Sequence, residues 1–87
     1  MSELNEQFQK ALKDVKTLES KPDNDVLLNL YSLYKQSTSG DVSGDKPGFF
    51  DFAGVAKYEA WENLQGTSSE EAMQKYIDVV NGLLGKS

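Results

Sequence analysis

Residues Leu30 to Phe52 read LYSLYKQSTSGDVSGDKPGFFDF, and the rest of the chain is organised around this stretch. It begins with a helical pattern that carries Tyr31, Tyr34 and Lys35, and it then changes to a loop rich in glycine, serine and aspartate. Residues three or four positions apart lie on the same side of a helix. Two tyrosine rings therefore stand beside a fixed cation, an arrangement suited to an anionic ligand with a flat or apolar part.

Apolar residues recur at helical spacing along the whole chain. They predict α-helices over about 3–18, from an N-cap at Asp23 to Ser39, over 52–64, and from the capping box that begins at Ser68. Strand patterns are almost absent. We therefore predict one all-α domain over residues 1–87, built as a four-helix bundle.

The second predicted helix carries two apolar lines about 100° apart. One line contains Val26, Leu30 and Leu33, and the other contains Leu27, Tyr31 and Tyr34. A single line is enough to pack a helix against one core. The second line therefore requires another helix, a protein partner or a ligand.

Several residues around the third helix have predicted structural roles. Gly40 is placed to end the second helix in the left-handed conformation. Gly54 is expected to weaken the third helix by about 1 kcal/mol relative to alanine. The remaining aromatic residues of this region are assigned mainly to packing, and they are Phe49, Phe50, Phe52 and Trp61.

Composition restricts the classes of function. The chain has 87 residues, enough for one small domain, and a net charge of −5. It contains neither cysteine nor histidine, which removes disulfides, thiolate chemistry, the commonest general base and the commonest transition-metal ligand. All nine cations are lysines, and an acidic chain without arginine is a poor candidate for nucleic-acid binding. The composition remains compatible with binding of an anionic small ligand if several lysines converge on one site.

The loop of the opening stretch invites comparison with a calcium-binding loop. An EF-hand loop that starts at Asp41 requires glycine at its sixth position and glutamate at its twelfth, but Lys46 and Phe52 stand there. We interpret the loop as a solvated turn and predict no metal site. The loop carboxylates Asp41, Asp45 and Asp51 have no base partner in the pattern, so we predict no catalytic residue, no enzymatic activity and no cofactor.

A series of short motifs occurs in the same order as in a known protein family. The motifs are YSLYKQSTSGD at 31–41, KPG at 46–48, DF at 51–52, AKYEAWENL at 56–64, GTS at 66–68, AM at 72–73 and YI at 76–77. Together with Lys21-Pro22, the chain length and the order of helices, they resemble the acyl-CoA-binding proteins, in the small form typified by the diazepam-binding inhibitor. The resemblance covers nearly the whole sequence.

This resemblance implies a four-helix bundle with up-down-down-up connectivity that binds the coenzyme A thioesters of long-chain fatty acids. It implies that Tyr31, Lys35 and Lys57 hold the adenine and the 3′-phosphate of the ligand. It also implies ligand contacts for Lys16 and Tyr76.

The resemblance further implies an acyl-chain groove lined by Leu27, Leu28 and Ala56. Tyr34 completes the predicted set, either as a ligand contact or as packing beneath the site. Each methylene removed from water in such a groove contributes about 0.8 kcal/mol, so long acyl chains are expected to bind better than short ones.

The sequence departs from the usual pattern of that family in four places. Ala53 and Val55 are apolar where lysine is common, which implies a weaker positive field around the phosphates. Leu12 stands where a small residue is frequent, so its bulk is expected to narrow the groove or alter the chain-length preference. Tyr58 replaces a common tryptophan, with an expected effect on packing or the rim.

We therefore predict a cytoplasmic, monomeric protein that binds, buffers and transports medium- and long-chain fatty acyl-CoA, without stable insertion into membranes. We also expect transient contacts with membranes or with enzymes that use acyl-CoA. The alternative hypothesis is a helical protein–protein interaction module that docks a partner on the second apolar line of its second helix.

Overall fold

The computed structural model describes residues 3–85, and most of them are helical. The four α-helices are α1, Glu3–Asp14, α2, Asn24–Ser39, α3, Phe52–Glu62, and α4, Ser69–Leu83. A 3-10 turn, Val15–Thr17, extends α1, and residues 3–85 contain no strand. The prediction of an all-α fold with four helices is confirmed.

The core lies where α4 packs against both α1 and α2. Its buried side chains are Phe8 and Ala11 from α1, Leu30 and Leu33 from α2, and Ala72, Tyr76, Ile77 and Val80 from α4. The Phe8 ring meets Tyr76 edge to face, with centroids 5.3 Å apart, the geometry that aromatic quadrupoles favour. In the described part of the chain, α3 contributes nothing to this cluster, so other contacts must fix its position.

The two apolar lines of α2 serve two different neighbours. Leu30 and Leu33 are buried in the core, and Val26 packs against it. Leu27 and Tyr31, on the second line, are half-buried on the side where α3 packs against α2. The second line thus has a neighbouring helix, which removes the main reason for expecting a protein partner there.

Two helices end earlier than the sequence predicts. α1 stops at Asp14 instead of Leu18, because the chain tightens into the 3-10 turn, where the Thr17 hydroxyl donates to the Asp14 carbonyl at 2.7 Å. α3 stops at Glu62, and the following turn ends at Gly66, whose φ is +92°. A positive φ is accessible to glycine at little cost, which explains why the chain reverses at this residue.

The predicted helix caps are realised to different degrees. Asp51 caps α3 by accepting the Gly54 N–H at 3.0 Å, whereas Asp23 occupies the N-cap of α2 without a side-chain hydrogen bond. At α4, Ser68 accepts the Glu71 N–H at 3.1 Å. The Glu71 carboxylate lies 3.3 Å from Lys75, so it forms an ion pair along the helix instead of closing the predicted capping box.

The connector between α2 and α3, residues 40–51, begins with a glycine that does not take its predicted conformation. Gly40 has φ 80° and ψ −151°, so it takes the positive φ that glycine permits but not the left-handed helical conformation. Asp41 then accepts hydrogen bonds from the Gly66 N–H at 2.8 Å and from the Gln36 amide at 2.9 Å. These bonds favour the charged carboxylate and lower the pKa of Asp41, the Gly66 bond most strongly.

The same connector fastens α3 through polar contacts. The indole N–H of Trp61 donates to the Gly40 carbonyl at 2.8 Å, and the Tyr58 hydroxyl donates to the Gly44 carbonyl at 3.1 Å. Lys46 pairs with Glu59 at 2.9 Å, and the hydrogen bond to that carboxylate raises the pKa of the lysine. The helix outside the core is therefore positioned by its contact with α2 and by this tethered connector.

Candidate functional site

A groove runs between α2 and α3, and it combines an apolar floor with a cation at its edge. We call it the α2–α3 groove; it has a volume of about 420 Å³ and is lined by Asn24, Leu27, Leu28, Phe52, Ala53, Ala56 and Lys57. The predicted acyl-groove residues Leu27, Leu28 and Ala56 therefore line one depression, together with the predicted phosphate ligand Lys57. Alanine at 53 and 56 leaves the groove open because no larger side chain fills it.

Two lysine–aromatic pairs join α2 to α3 beside this groove. The Lys57 ammonium lies 5.3 Å from the centre of the Tyr31 ring, and the Lys35 ammonium lies 4.9 Å from the centre of the Trp61 ring. Tyr31 and Lys35 are one turn apart on α2, and Lys57 and Trp61 are one turn apart on α3. Since both pairs advance by one turn in the same direction, α2 and α3 run parallel.

A parallel pair of helices requires a connector that returns along their length. Extended chain covers roughly 3.3 Å per residue and a helix about 1.5 Å per residue, so residues 40–51 can span α2 although they are fewer than its residues. The connector brings Lys57 back to Tyr31.

Lys35 and Lys57 keep their charges available to a ligand. Neither forms an ion pair with a carboxylate within residues 3–85, in contrast to Lys10, Lys46 and Lys75. Their cation–π contacts contribute about 0.5–1 kcal/mol at exposed sites, whereas a hydrogen bond to a charged group contributes about 1.5–3 kcal/mol. An anionic ligand group can thus displace the aromatic ring as the partner of each ammonium.

Tyr34 and Tyr76 lie close to each other between α2 and α4. Tyr34 is 41% exposed, while the Tyr76 ring is buried in the core. The Tyr76 hydroxyl makes no hydrogen bond within the described residues, yet it is not enclosed, so it reaches the surface. Burial raises the pKa of this hydroxyl, and the nearby Tyr34 adds to the effect. Tyr76 thus combines a core ring with an accessible donor.

Lys16 belongs to neither lysine–aromatic pair. It sits in the 3-10 turn after α1, its side chain is exposed, and it forms neither an ion pair nor a hydrogen bond in the described portion of the chain. Its predicted contact with a ligand stays a prediction.

The sequence analysis did not assign Asn24, Phe52 or Ala53 to the groove. Helical spacing could have found all three. Asn24 lies one turn before Leu27 and Leu28 on α2, while Phe52 and Ala53 lie one turn before Ala56 and Lys57 on α3. Residues one turn from a predicted ligand contact share its helix face.

The packing role predicted for the phenylalanines is wrong. Phe49, Phe50 and Phe52 are 75%, 82% and 75% exposed, whereas Trp61 is buried as predicted. Phe49 and Phe50 belong to the connector, and Phe52 opens α3, a helix that lies outside the core. Hydrophobicity of a residue predicts burial only where another element covers it, and nothing within residues 3–85 covers these three rings.

Leu12 and Tyr58 both depart from the family pattern, and both have structural roles. Leu12 packs against the core cluster and does not line the α2–α3 groove as described. Tyr58 ties α3 to the connector through Gly44 and lies outside the two lysine–aromatic pairs. The effect of this departure on packing or the rim stays a prediction.

The described residues show no converging group of three acidic side chains able to hold a metal ion. None of the helices within residues 3–85 is both long and apolar enough to cross a bilayer. The polar side chains that line the α2–α3 groove are those of Asn24 and Lys57.

Comparison with known sequences agrees with these features. The sequence profile of a family described as "Acyl CoA binding protein" matches residues 5–80. The chain belongs to the acyl-CoA-binding protein family. The profile match contains all of the predicted ligand-binding residues, from Lys16 to Tyr76.

Individual family members are similar over nearly their full length. The acyl-CoA-binding protein homolog of Drosophila melanogaster is 47% identical over 83 residues, which are 95% of this chain and 96% of that protein. The acyl-CoA-binding protein of Saccharomyces cerevisiae is 48% identical over 79 residues, 91% of either chain. These identities extend across all four helices.

A solved structure supports the fold. The crystal structure of acyl-CoA-binding protein 2 from Oryza sativa superposes with a TM-score of 0.90 at 41% identity, covering 94% of this chain and 89% of that chain. So high a score requires the same order and direction of helices. The predicted four-helix fold with the acyl-CoA-binding protein topology is confirmed.

Proposed function

We propose that this protein binds coenzyme A thioesters of medium- and long-chain fatty acids without covalent chemistry and carries them through the cytoplasm as a monomer. The observation that carries the proposal is the α2–α3 groove, in which Leu27, Leu28 and Ala56 form an apolar floor that leads to Lys57. An acyl-CoA has the same polarity, with an apolar chain at one end and phosphates at the other. Family membership supports the same ligand class.

The head group of the ligand would lie against the two lysine–aromatic pairs. Coenzyme A carries several phosphate charges, and desolvating them costs free energy unless cations compensate. Lys35 and Lys57 are free of carboxylate partners in the described structure, and Tyr31 offers a ring to the adenine. Lys16, Tyr34 and the accessible hydroxyl of Tyr76 complete the proposed contacts.

The acyl chain would lie along the apolar floor. Each methylene removed from water contributes about 0.8 kcal/mol, so the groove favours longer chains and shelters a detergent-like molecule from membranes. The chain lacks histidine and cysteine, which supports a carrier that returns the thioester unchanged. Transient contacts with membranes or acyl-CoA-using enzymes would load and unload this carrier.

Titration calorimetry tests the proposal with three ligands: palmitoyl-CoA, coenzyme A and palmitate. We expect palmitoyl-CoA to bind more tightly than either of its parts, since only the thioester occupies both the floor and the lysines. Affinity should decrease with added salt, because the phosphate contacts are screened. Absence of binding to palmitoyl-CoA at micromolar concentrations in low salt would refute the proposal.

Native mass spectrometry tests the assembly state in the same samples. A monomer with the added mass of one acyl-CoA is the expected species. A dimer, or a monomer that gains mass from palmitate as readily as from palmitoyl-CoA, would contradict the proposed carrier.

A further inference from the structure

A second groove lies on the other side of α3 and continues from the first. We call it the connector groove; it has a volume of about 480 Å³ and is lined by Lys46, Pro47, Phe49, Phe52, Val55, Ala56 and Glu59. Phe52 and Ala56 line both grooves. The two depressions therefore share a boundary on α3.

The helical positions show where that boundary can be crossed. Successive residues turn by about 100° around a helix, so the lining residues follow one another around α3 in the order 57, 53, 56, 52, 59 and 55. Lys57 and Ala53 face the α2–α3 groove, and Val55 faces the connector groove. Ala56 lies between them, and of the two residues that line both grooves it has the smaller side chain, so an occupant can cross over it more easily than over Phe52.

The connector groove is chemically suited to hydrocarbon. Its walls are Pro47, Phe49, Phe52 and Val55, and both phenylalanine rings are 75% exposed. The charges at its edge, Lys46 and Glu59, are paired with each other at 2.9 Å. An apolar occupant thus gains buried area here without stripping water from an unpaired charge.

We propose that the distal methylenes of very-long-chain acyl groups leave the α2–α3 groove over Ala56. They then lie in the connector groove between Phe49 and Val55. This inference rests on the proposed function, because it extends the acyl site in one direction. Val55 and Phe49 then determine the upper range of chain lengths, while Leu27 and Leu28 bind the proximal part of the chain.

Continuity with the α2–α3 groove is the reason to choose this occupant. A lipid bilayer or a second copy of the protein would contact the exposed rings from outside, and neither would require a passage across Ala56. Phe50 distinguishes an acyl chain in the groove from a bilayer or a second copy on the surface. It is 82% exposed and lies against Phe49, with centroids 4.5 Å apart, but it lines neither groove.

The test is a chain-length series in the intact protein. Affinities for decanoyl-, palmitoyl-, arachidoyl- and lignoceroyl-CoA are measured by competition, at ligand concentrations below the onset of micelles. The variants are Val55→Ser and Phe49→Ser, with Phe50→Ser as matched control, and far-UV circular dichroism verifies that each is helical. A fully buried methylene increases affinity about fourfold, and this open groove should give roughly two- to fourfold for each one.

For the wild type and Phe50→Ser, we expect affinity to increase by roughly 250-fold or more from palmitoyl- to lignoceroyl-CoA, because each of the eight added methylenes should contribute at least about twofold. In Val55→Ser and Phe49→Ser, most of that gain should be lost. The inference is overturned if both variants give series parallel to the wild type, or if Phe50→Ser loses the gain equally. Binding of palmitoyl-CoA with no further gain would overturn this inference alone, whereas failure to bind any acyl-CoA would overturn the proposed function as well.

Discussion

The Lys57 ammonium on α3 lies 5.3 Å from the centre of the Tyr31 ring on α2. One turn further along both helices, Lys35 on α2 lies 4.9 Å from the centre of the Trp61 ring on α3. The two contacts cross in opposite directions, so each helix contributes one cation and one aromatic ring. Both cations therefore stand at the interface of the two helices, and Lys57 also lines the α2–α3 groove.

Replacing either of these lysines should weaken ligand binding selectively. A hydrogen bond to a charged group contributes about 1.5–3 kcal/mol, so Lys35→Ala and Lys57→Ala should each lower the affinity for palmitoyl-CoA roughly 10- to 100-fold. Titration calorimetry measures the change. Lys10→Ala, which removes an exposed lysine that pairs with Asp14 on α1, should have little effect. Equal affinities of the three variants would contradict the site.

Trp61 should contribute to stability through its indole N–H. Trp61→Phe keeps an aromatic ring but leaves the Gly40 carbonyl without its donor at 2.8 Å. We expect the free energy of unfolding to fall by about 1–2 kcal/mol in urea denaturation. Tyr58→Phe removes the more exposed hydrogen bond to Gly44 and should cost less. A larger loss for Tyr58→Phe would contradict the tethering of α3 mainly through Trp61.

Gly54 and Asp51 should be energetically coupled. Alanine is normally better than glycine in a helix by about 1 kcal/mol, but a β-carbon at position 54 would lie 2.7 Å from Cγ of the capping Asp51. Gly54→Ala should thus stabilise the protein little or not at all, because moving the cap costs about 1 kcal/mol.

A double-mutant cycle measures this coupling by urea denaturation. In the Asp51→Ala background, Gly54→Ala should recover the normal gain of up to about 1 kcal/mol. The same effect of Gly54→Ala in both backgrounds would show that the two residues are independent.

The contribution of Asp41 to stability should depend on pH. Its pKa in the folded chain lies below its ordinary value of 3.8, because Gly66 and Gln36 donate hydrogen bonds to the charged form. Such a group stabilises the fold fully above the unfolded pKa, and the contribution is lost as pH falls through the folded pKa. Asp41→Asn should therefore be less stable than the wild type near neutral pH, and the difference should shrink below about pH 3.8.

Urea denaturation from neutral pH down to about pH 3 measures that difference. Asp45→Asn, on the same connector, is the control, since Asp45 forms no hydrogen bond within the described residues. A difference between Asp41→Asn and the wild type that stays constant with pH would contradict the assignment.

The sequence alone determined the four helices and the two faces of α2. Periodicity of apolar residues separates Leu30 and Leu33 from Tyr31 and Tyr34, because the geometry of a helix is local and the same in every context. Motif order added the ligand class and the predicted site residues. Residue spacing alone had indicated only two tyrosines beside a cation.

Only the tertiary structure decided which apolar residues are covered. Phe49 and Phe52 are as hydrophobic as Phe8, yet Phe8 is 1% exposed and the other two are 75% exposed. The difference arises because α1 packs on α4, whereas no element within residues 3–85 covers the connector or the first residue of α3. Burial depends on contacts between distant segments, and no local pattern encodes them.

The pairing of charges with rings was likewise decided by tertiary structure. Sequence spacing places Lys35 one turn after Tyr31, but the cation over Tyr31 is Lys57, and Lys35 lies over Trp61. The parallel arrangement of α2 and α3, held by the tethered connector, brings these groups together. The sequence supplied the residues of the site, and the packing of two helices selected their partners.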